Sequence, residues 1–257
     1  MNLNLEGKVA IVTGGAKGIG EAVTRLLAAE GVTVIIADLD EESTKRLASS
    51  VEGVHAHVID LVDEAACKDL IDRTVAHHGS IDIVVNNAGV NDKVSIEASP
   101  DAFRQSLEKN LVQVFTVTHF ATPHLKASKG SIVNITSKVA TTGQGNTSGY
   151  AAAKGGVNAL TREWAVDLAR HGVRVNAVAP AETLTPMYED WLNTQNDPDS
   201  VKSWIEGTIP LGNRFTTSIE IANTAVFLAS PAASHTTGQI VYVDGGYTHL
   251  DRAFTQK

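Results

Sequence analysis

Apolar positions in this chain change their period repeatedly. Short β-branched runs, apolar at nearly every residue, alternate with longer segments whose apolar residues recur every three to four positions. The short runs fall at 9–14 (VAIVTG), 33–38, 55–60, 81–87, 131–137, 173–180 and 239–246. Helical spacing marks 19–30, 41–50, 63–78, 100–126, 150–170 and 219–229. Strands that alternate with helices and are apolar on both faces predict βαβ units. The expected fold is therefore α/β, a doubly wound parallel sheet of about seven strands with helices on both faces.

The punctuation agrees. Ser99 can cap a helix with Pro100 at its first position and Asp101 in its first turn. Gly31, Gly79 and Gly172 each stand between a helix and a strand, where a left-handed cap is expected. One stretch breaks the alternation: residues 183–217 form a long irregular insertion before the last helix, and insertions of that length usually carry function. No repeat, linker or low-complexity tract divides the chain, so residues 1–257 are expected to form a single domain with a substrate loop at about 183–217.

Composition narrows the function. The 257 residues are 43% hydrophobic, with a formal net charge of −8 and the 21 basic residues scattered, which argues against a nucleic-acid partner. The single cysteine, Cys67, has no internal disulfide partner and suits a reducing compartment as a helix residue. With no charged leader and no 18-residue apolar stretch, the expectation is a cytoplasmic protein without membrane contact. None of the nine histidines lies at HExxH spacing, so no metal site is expected.

The first strand runs into TGGAKGIG, residues 13–20, which opens a helix. Gly14 permits a sharp turn, Gly18 removes a side chain where a pyrophosphate approaches, and Gly20 lets helix and strand pack closely. The helix N-terminus then faces the phosphates. Asp38 ends the second strand, placed to accept hydrogen bonds from an adenosine ribose, which points to NAD. Lys17 points the other way, because its ammonium can pair with a 2′-phosphate, so NADP stays possible. Asp60 after the third strand and Asn87, Ala88 and Gly89 after the fourth fall on the same carboxyl edge of the sheet.

SGYAAAKG, residues 148–155, sets Tyr150 and Lys154 four apart on a helix, hence on one face. A free phenol with a pKa near 10 is a poor base at neutral pH. A cation about 4 Å away at an effective dielectric near 20 contributes roughly 4 kcal/mol, on the order of three pKa units. That makes Tyr150 a candidate general acid/base near pH 7. By itself the pair reads more readily as an ordinary surface contact; what favours chemistry is its company in the rest of the chain, including Ser137, which ends the fifth strand on the same edge.

The ordered set of glycine-rich turn, Asp38, NNAG, Ser137 and YxxxK resembles the short-chain dehydrogenase/reductase family over essentially the whole chain. The resemblance implies a Rossmann sheet, a nicotinamide cofactor and a catalytic tetrad of Asn110, Ser137, Tyr150 and Lys154. In it Tyr150 exchanges the substrate's hydroxyl proton, Ser137 holds the oxygen, Lys154 also holds the nicotinamide ribose, and Asn110 holds a relay water. It also implies that Ile19, Leu39, Leu61 and Pro180 line the cofactor and that Thr183 and Thr185 meet its carboxamide. A homo-tetramer is implied too, with His249 and Arg252 as tail residues that reach a neighbouring subunit.

PAETLTPMY departs from the family, which commonly has glycine after the proline; here Ala181 and the carboxylate Glu182 follow. Glu182 is suited to gripping paired hydroxyls, though on its own it reads equally as a solvated loop residue. Polar groups at Asn91, Asp92, Lys93, Gln144 and Asn146 favour a polyol or sugar over an acyl chain, since each buried polar group left unpaired costs about 1–3 kcal/mol. GQGNTSGY, TREWAV and DGGYTHLDRA resemble the branch containing L-fucose and related aldose dehydrogenases. That resemblance implies oxidation at the anomeric carbon, with Ser137, Gln144, Asn146, Glu182 and Tyr188 as sugar contacts. The alternatives are a ketone or 3-oxoacyl reductase of the same family, a non-catalytic NAD-sensing protein, and an epimerase, which the glycine spacing and length disfavour.

Overall fold

A computed structural model describes residues 2–250. Seven strands form one parallel sheet in the order β3-β2-β1-β4-β5-β6-β7. They are β1 Val9–Thr13, β2 Thr33–Asp38, β3 Val54–Val58, β4 Ile83–Asn86, β5 Ser131–Ile135, β6 Arg174–Pro180 and β7 Ile240–Val243. Alternate residues of each central strand feed opposite layers, because side chains on a strand point to opposite faces. Ala10, Val12, Val34 and Ile36 pack against α1 (Gly18–Ala29) and α9 (Ser218–Ala229). Val9, Ile11, Ile35 and Ala37 pack with α3 (Glu64–His78), α5 (Gln113–Ser128) and α6 (Ser148–Ala169).

The expected caps are present. Ser99 accepts from the Ala102 N–H at the start of α4 (Pro100–Leu107), and Gly31, Gly79 and Gly172 have φ of 78°, 82° and 75°. α2 spans Glu41–Ser50. Cys67 lies fully buried in α3, its thiol directed at the Leu61 carbonyl and pushed up to about 11 by burial.

Two expectations need correction. The helix read over 100–126 is two helices joined by a π-helical segment, Glu108–Val112, and the wide turn carries buried Asn110. An extra residue in a helical turn leaves apolar spacing almost intact, so periodicity cannot reveal it; such segments cluster at functional sites. The insertion at 183–217 is not irregular throughout. It contains α7 (Pro186–Asn193) and α8 (Pro198–Gly207), capped by Thr185 and Asp197 with proline at each first turn. Leu192, Ile205 and Phe215 give it a small apolar core of its own.

Candidate active site

β1 lies between β2 and β4, so the chain's winding reverses there and a crevice opens beyond the carboxyl ends of β1 and β4. Both margins are built by close backbone approach. Gly14 has φ 61°, and a Cβ there would lie 2.9 Å from the Ala88 Cα. A Cβ on Gly20 would lie 2.0 Å from the Gly14 carbonyl oxygen and 2.6 Å from the Asn87 side chain. Asn87 Nδ2 donates to the carbonyls of Thr13 and Gly14 at 3.1 and 2.8 Å, while the Thr13 hydroxyl receives the N–H groups of Asn87 and Ala88. The NNAG turn thus clamps the glycine loop.

Gly18 has φ 56°, and a Cβ there would stand 3.5 Å from Thr185, so the start of α7 overhangs the glycine loop. Asp38 accepts from the N–H groups of Ala16 and Asp40 at 3.1 and 3.0 Å, which fixes its carboxylate beside that loop. Lys17 forms an ion pair with Asp40. Thr183 is buried and its hydroxyl has no partner among the described residues. A glycine cradle under a helix N-terminus, a fixed ribose-side carboxylate and an orphaned buried hydroxyl fit a dinucleotide. Leu39 is exposed at the β2 end, Asp60 is exposed and accepts from the Val62 N–H, and Pro180 is buried at the β6 end. Ile19 packs partly buried against the core, and the Leu61 side chain sits in the core with α3.

The four residues expected to form a catalytic tetrad come from the turn after β5, from α6 and from the π-helical segment. A chain of buried side chains fixes α6 on the sheet: Asn86 donates to Thr118 and Asn134, and Asn134 donates to Thr161 of α6, at 2.9–3.0 Å. Gly149 and Gly156 admit close neighbours, since a Cβ would meet the Ser106 hydroxyl at 2.5 Å and Leu111 at 3.0 Å, respectively. Asn110 Oδ1 accepts from the Val90 N–H at 2.7 Å and Nδ2 donates to the Ser106 carbonyl at 3.0 Å. Gly89 stands over both remaining groups: a Cβ there would lie 2.9 Å from Asn110 Oδ1 and 3.4 Å from Lys154 Nζ.

The electrostatics differ from the sequence expectation. Tyr150 and Lys154 share one helix face, but the ammonium turns to the Ile135 carbonyl at 2.7 Å and sits 5.6 Å from the centre of the Tyr150 ring. Burial pushes the phenol up to about 12, opposed by its hydrogen bond with Ser137. Burial also brings Lys154 down to about 8. Desolvation therefore outweighs the cation's support of a phenolate, and the tyrosine is a proton donor at neutral pH.

The sugar-contact residues are split. Gln144 and Asn146 are exposed on the loop before α6, and Asn146 has φ 55°. Glu182 is instead buried, and its carboxylate accepts from the Tyr188 hydroxyl at 2.6 Å and pairs with Lys138. Burial, then the Glu182 charge, drives the Tyr188 phenol far above its ordinary range. Lys138 was not singled out from the sequence, where a lysine after a strand reads as a solvated surface residue. It is 7% exposed and its ammonium lies 4.3 Å from the centre of the Tyr247 ring. His249 packs edge-on against Tyr242 at 4.5 Å, and Arg252 lies outside the described residues.

A crevice at the sheet's switch point, closed by a strand-end serine and a YxxxK helix, defines a nicotinamide-dependent oxidoreductase site. The family model described as Enoyl-(Acyl carrier protein) reductase matches residues 14–248. The chain belongs to the short-chain dehydrogenase/reductase family, whose members act on CH–OH groups with NAD or NADP. It is 40% identical over 244 residues to the L-fucose dehydrogenase of Mus musculus, covering 93% of this chain and 88% of that one. It is 39% identical over 250 residues to the 3-oxoacyl-[acyl-carrier-protein] reductase FabG of Thermotoga maritima, covering 95% and 99%. The crystal structure of Cj0485 dehydrogenase matches with a TM-score of 0.95 at 47% identity, over 98% of each chain. Among the described residues no helix is long and apolar enough to cross a membrane.

Proposed function

We propose that the protein is an NAD-dependent dehydrogenase that oxidises the anomeric hydroxyl of L-fucose or a related aldose to the lactone. It would act as a single domain in which residues 183–217 cover the substrate. The observation that carries the reading is the conjunction of Tyr150, bonded to Ser137, with a buried ion pair, Lys138 and Glu182, just beyond the same strand ends. The first supports alcohol–carbonyl chemistry and the second a polar substrate. Similarity to an L-fucose dehydrogenase agrees. The reductase FabG at nearly equal identity favours a second reading, reduction of a ketone or 3-oxoacyl substrate; burying an acyl chain against a charged pair argues against it.

A bound nicotinamide supplies the hydride acceptor in this chemistry. Gly14, Gly18, Gly20 and Asp38 would hold its nucleotide portion, and Thr183 and Thr185 its carboxamide. Ser137 orients the reacting oxygen through its hydroxyl. Tyr150 exchanges the proton with that oxygen, and Lys154, with the lower pKa of the two, is the group that empties first to receive it. Asn110, anchored to the Ser106 carbonyl, accepts the Val90 N–H and so fixes the backbone beside Gly89, next to which the Lys154 ammonium lies. Exposed Phe115 on α5 and Val166 on α6 support assembly into a homo-tetramer.

The test is NADH formation on a panel of aldoses beside NADH consumption with ketone and 3-oxoacyl substrates. Aldose oxidation is expected to exceed the others, and Tyr150→Phe to lower kcat by about 10²–10⁴-fold with NADH binding retained. Turnover of the acyl or ketone substrates alone overturns the reading.

A further inference from the structure

Lys138 and Glu182 lie just beyond the carboxyl ends of two adjacent strands, β5 and β6. β5 and β6 pair in parallel with Ile135 opposite Val178. Three residues beyond that pair Lys138 follows Ser137, and four beyond it Glu182 precedes Thr183. Lys138 is therefore the chain neighbour of the group that orients the reacting oxygen, and Glu182 that of the threonine assigned to the nicotinamide carboxamide. Both side chains are about nine-tenths buried, at 8% and 11% exposure. Burying two charges is expensive, and an apolar pair of similar volume often gives an equally stable or more stable protein. Stability alone does not account for placing them here.

The hydrogen-bond inventory points to a ligand. Among the described residues Glu182 accepts from Lys138 through one oxygen and from Tyr188 through the other. A carboxylate has about four acceptor sites and an ammonium three donors, so side-by-side donors and acceptors remain. Neighbouring hydroxyls on a ring both donate and accept, and match such an array. The pair is neutral as a unit, so it offers no net attraction to a carboxylate- or phosphate-bearing substrate. An acyl chain would cover it without replacing its solvation.

We infer that the buried Lys138–Glu182 pair, braced by Tyr188, is the specificity determinant that reads adjacent hydroxyls of a neutral cyclic polyol. This deepens the proposed aldose dehydrogenase reading and rests on it. Because Glu182 also holds Tyr188 at the start of α7, the pair couples recognition of the hydroxyls to the position of the insertion that overhangs Gly18.

The experiment compares an aldose with its monodeoxy analogues in the wild-type enzyme and in the double variant Lys138→Met/Glu182→Leu. Removing both charges avoids stranding one of them, and thermal melting checks the fold. The wild type is expected to disfavour at least one deoxy analogue by about 10–100-fold in kcat/KM, as when charged hydrogen-bond partners lose their ligand group. In the double variant that ratio should collapse towards one, mainly through KM. Should the variant fail to fold, Glu182→Gln, which keeps shape and removes charge, is expected to move the same ratio in the same direction. Unchanged ratios in a folded variant, with aldoses still oxidised, overturn the inference and leave the aldose reading standing. No wild-type turnover of any aldose overturns both.

Discussion

At the nucleotide end of the cleft, the decisive positions are those where a side chain is missing. At the substrate end they are large charged side chains buried together. Gly14 and Gly20 let backbone meet backbone, Gly18 has a left-handed φ, and the resulting cradle is locked by Asn87 at the end of the neighbouring strand. Lys138, Glu182 and Tyr188 instead fill space and bond through their termini. The first construction tolerates almost no added atom; the second tolerates exchange, provided charge and volume are balanced. A cofactor common to a family suits the first, and a substrate that differs between relatives suits the second.

The sharpest way to break this contrast is at Gly20. A methyl group there would lie 2.0 Å from the Gly14 carbonyl oxygen, and neither backbone segment is free to yield. Gly20→Ala is expected to abolish NADH binding or the folded state altogether, read by thermal melting with and without NADH. Gly155→Ala, on a helix position with nothing within 4 Å, is the control. It should stabilise the protein by about 0.5–1 kcal/mol through helix propensity. A normal Gly20→Ala enzyme would remove the case for a backbone-defined cradle.

A second prediction concerns the seam between the two ends. Lys154 falls from 10.5 to about 8 on folding because it is buried. The native state then binds fewer protons than the unfolded chain between those values, so stability rises with pH across that window. The full shift corresponds to about 3 kcal/mol, visible as a rising melting temperature from pH 8 to 10. Above pH 10 the trend reverses, since the buried phenol, held near 12, resists an ionisation open to the unfolded chain. The same proton governs oxidation: kcat/KM should climb about tenfold per pH unit below 8 and level above it. Lys154→Met should erase both the rise in stability and the kinetic break; a pH-independent wild type would sink the assignment.

What could be read from the chain follows the same division. The strands, the glycine turn, Asp38 and the YxxxK pair are each specified within a few residues, and the parallel sheet brings the carboxyl ends of their strands to one edge. Three features escaped. The π-helical segment at Asn110 leaves the apolar period intact. The ion pair joins residues 44 apart, and nothing local to Lys138 distinguishes it from a solvated lysine. The acidity of Tyr150 was argued from spacing, which sets which residues face each other but not how much water each loses; desolvation reversed the sign.

The smallest expected effect lies at the nucleotide end, where one position does depend on charge. Asp38 is aimed by two backbone N–H groups, and the nearest cation, Lys17, is engaged by Asp40, whose carboxyl is held at about 2 chiefly by that lysine. Asp38 and Asp40 set two carboxylates beside the loop, offset by Lys17 and, more weakly, by Arg46. On the proposed NAD reading, the Asp38 carboxylate disfavours NADP by repelling its 2′-phosphate. Asp38→Asn should lower the NAD over NADP ratio of kcat/KM by about tenfold or more, since two anions a few ångströms apart at partial exposure cost on the order of 1–4 kcal/mol. Asp40→Asn releases Lys17 and should move the same ratio by about threefold or less, because exposed pairs are weak and screened. High salt should shrink the second effect more than the first. A wild-type enzyme that prefers NADP, or an Asp38→Asn variant with an unaltered ratio, would mean that Lys17 and not Asp38 sets the choice, and that the cradle is read through side-chain charge just as the substrate end is.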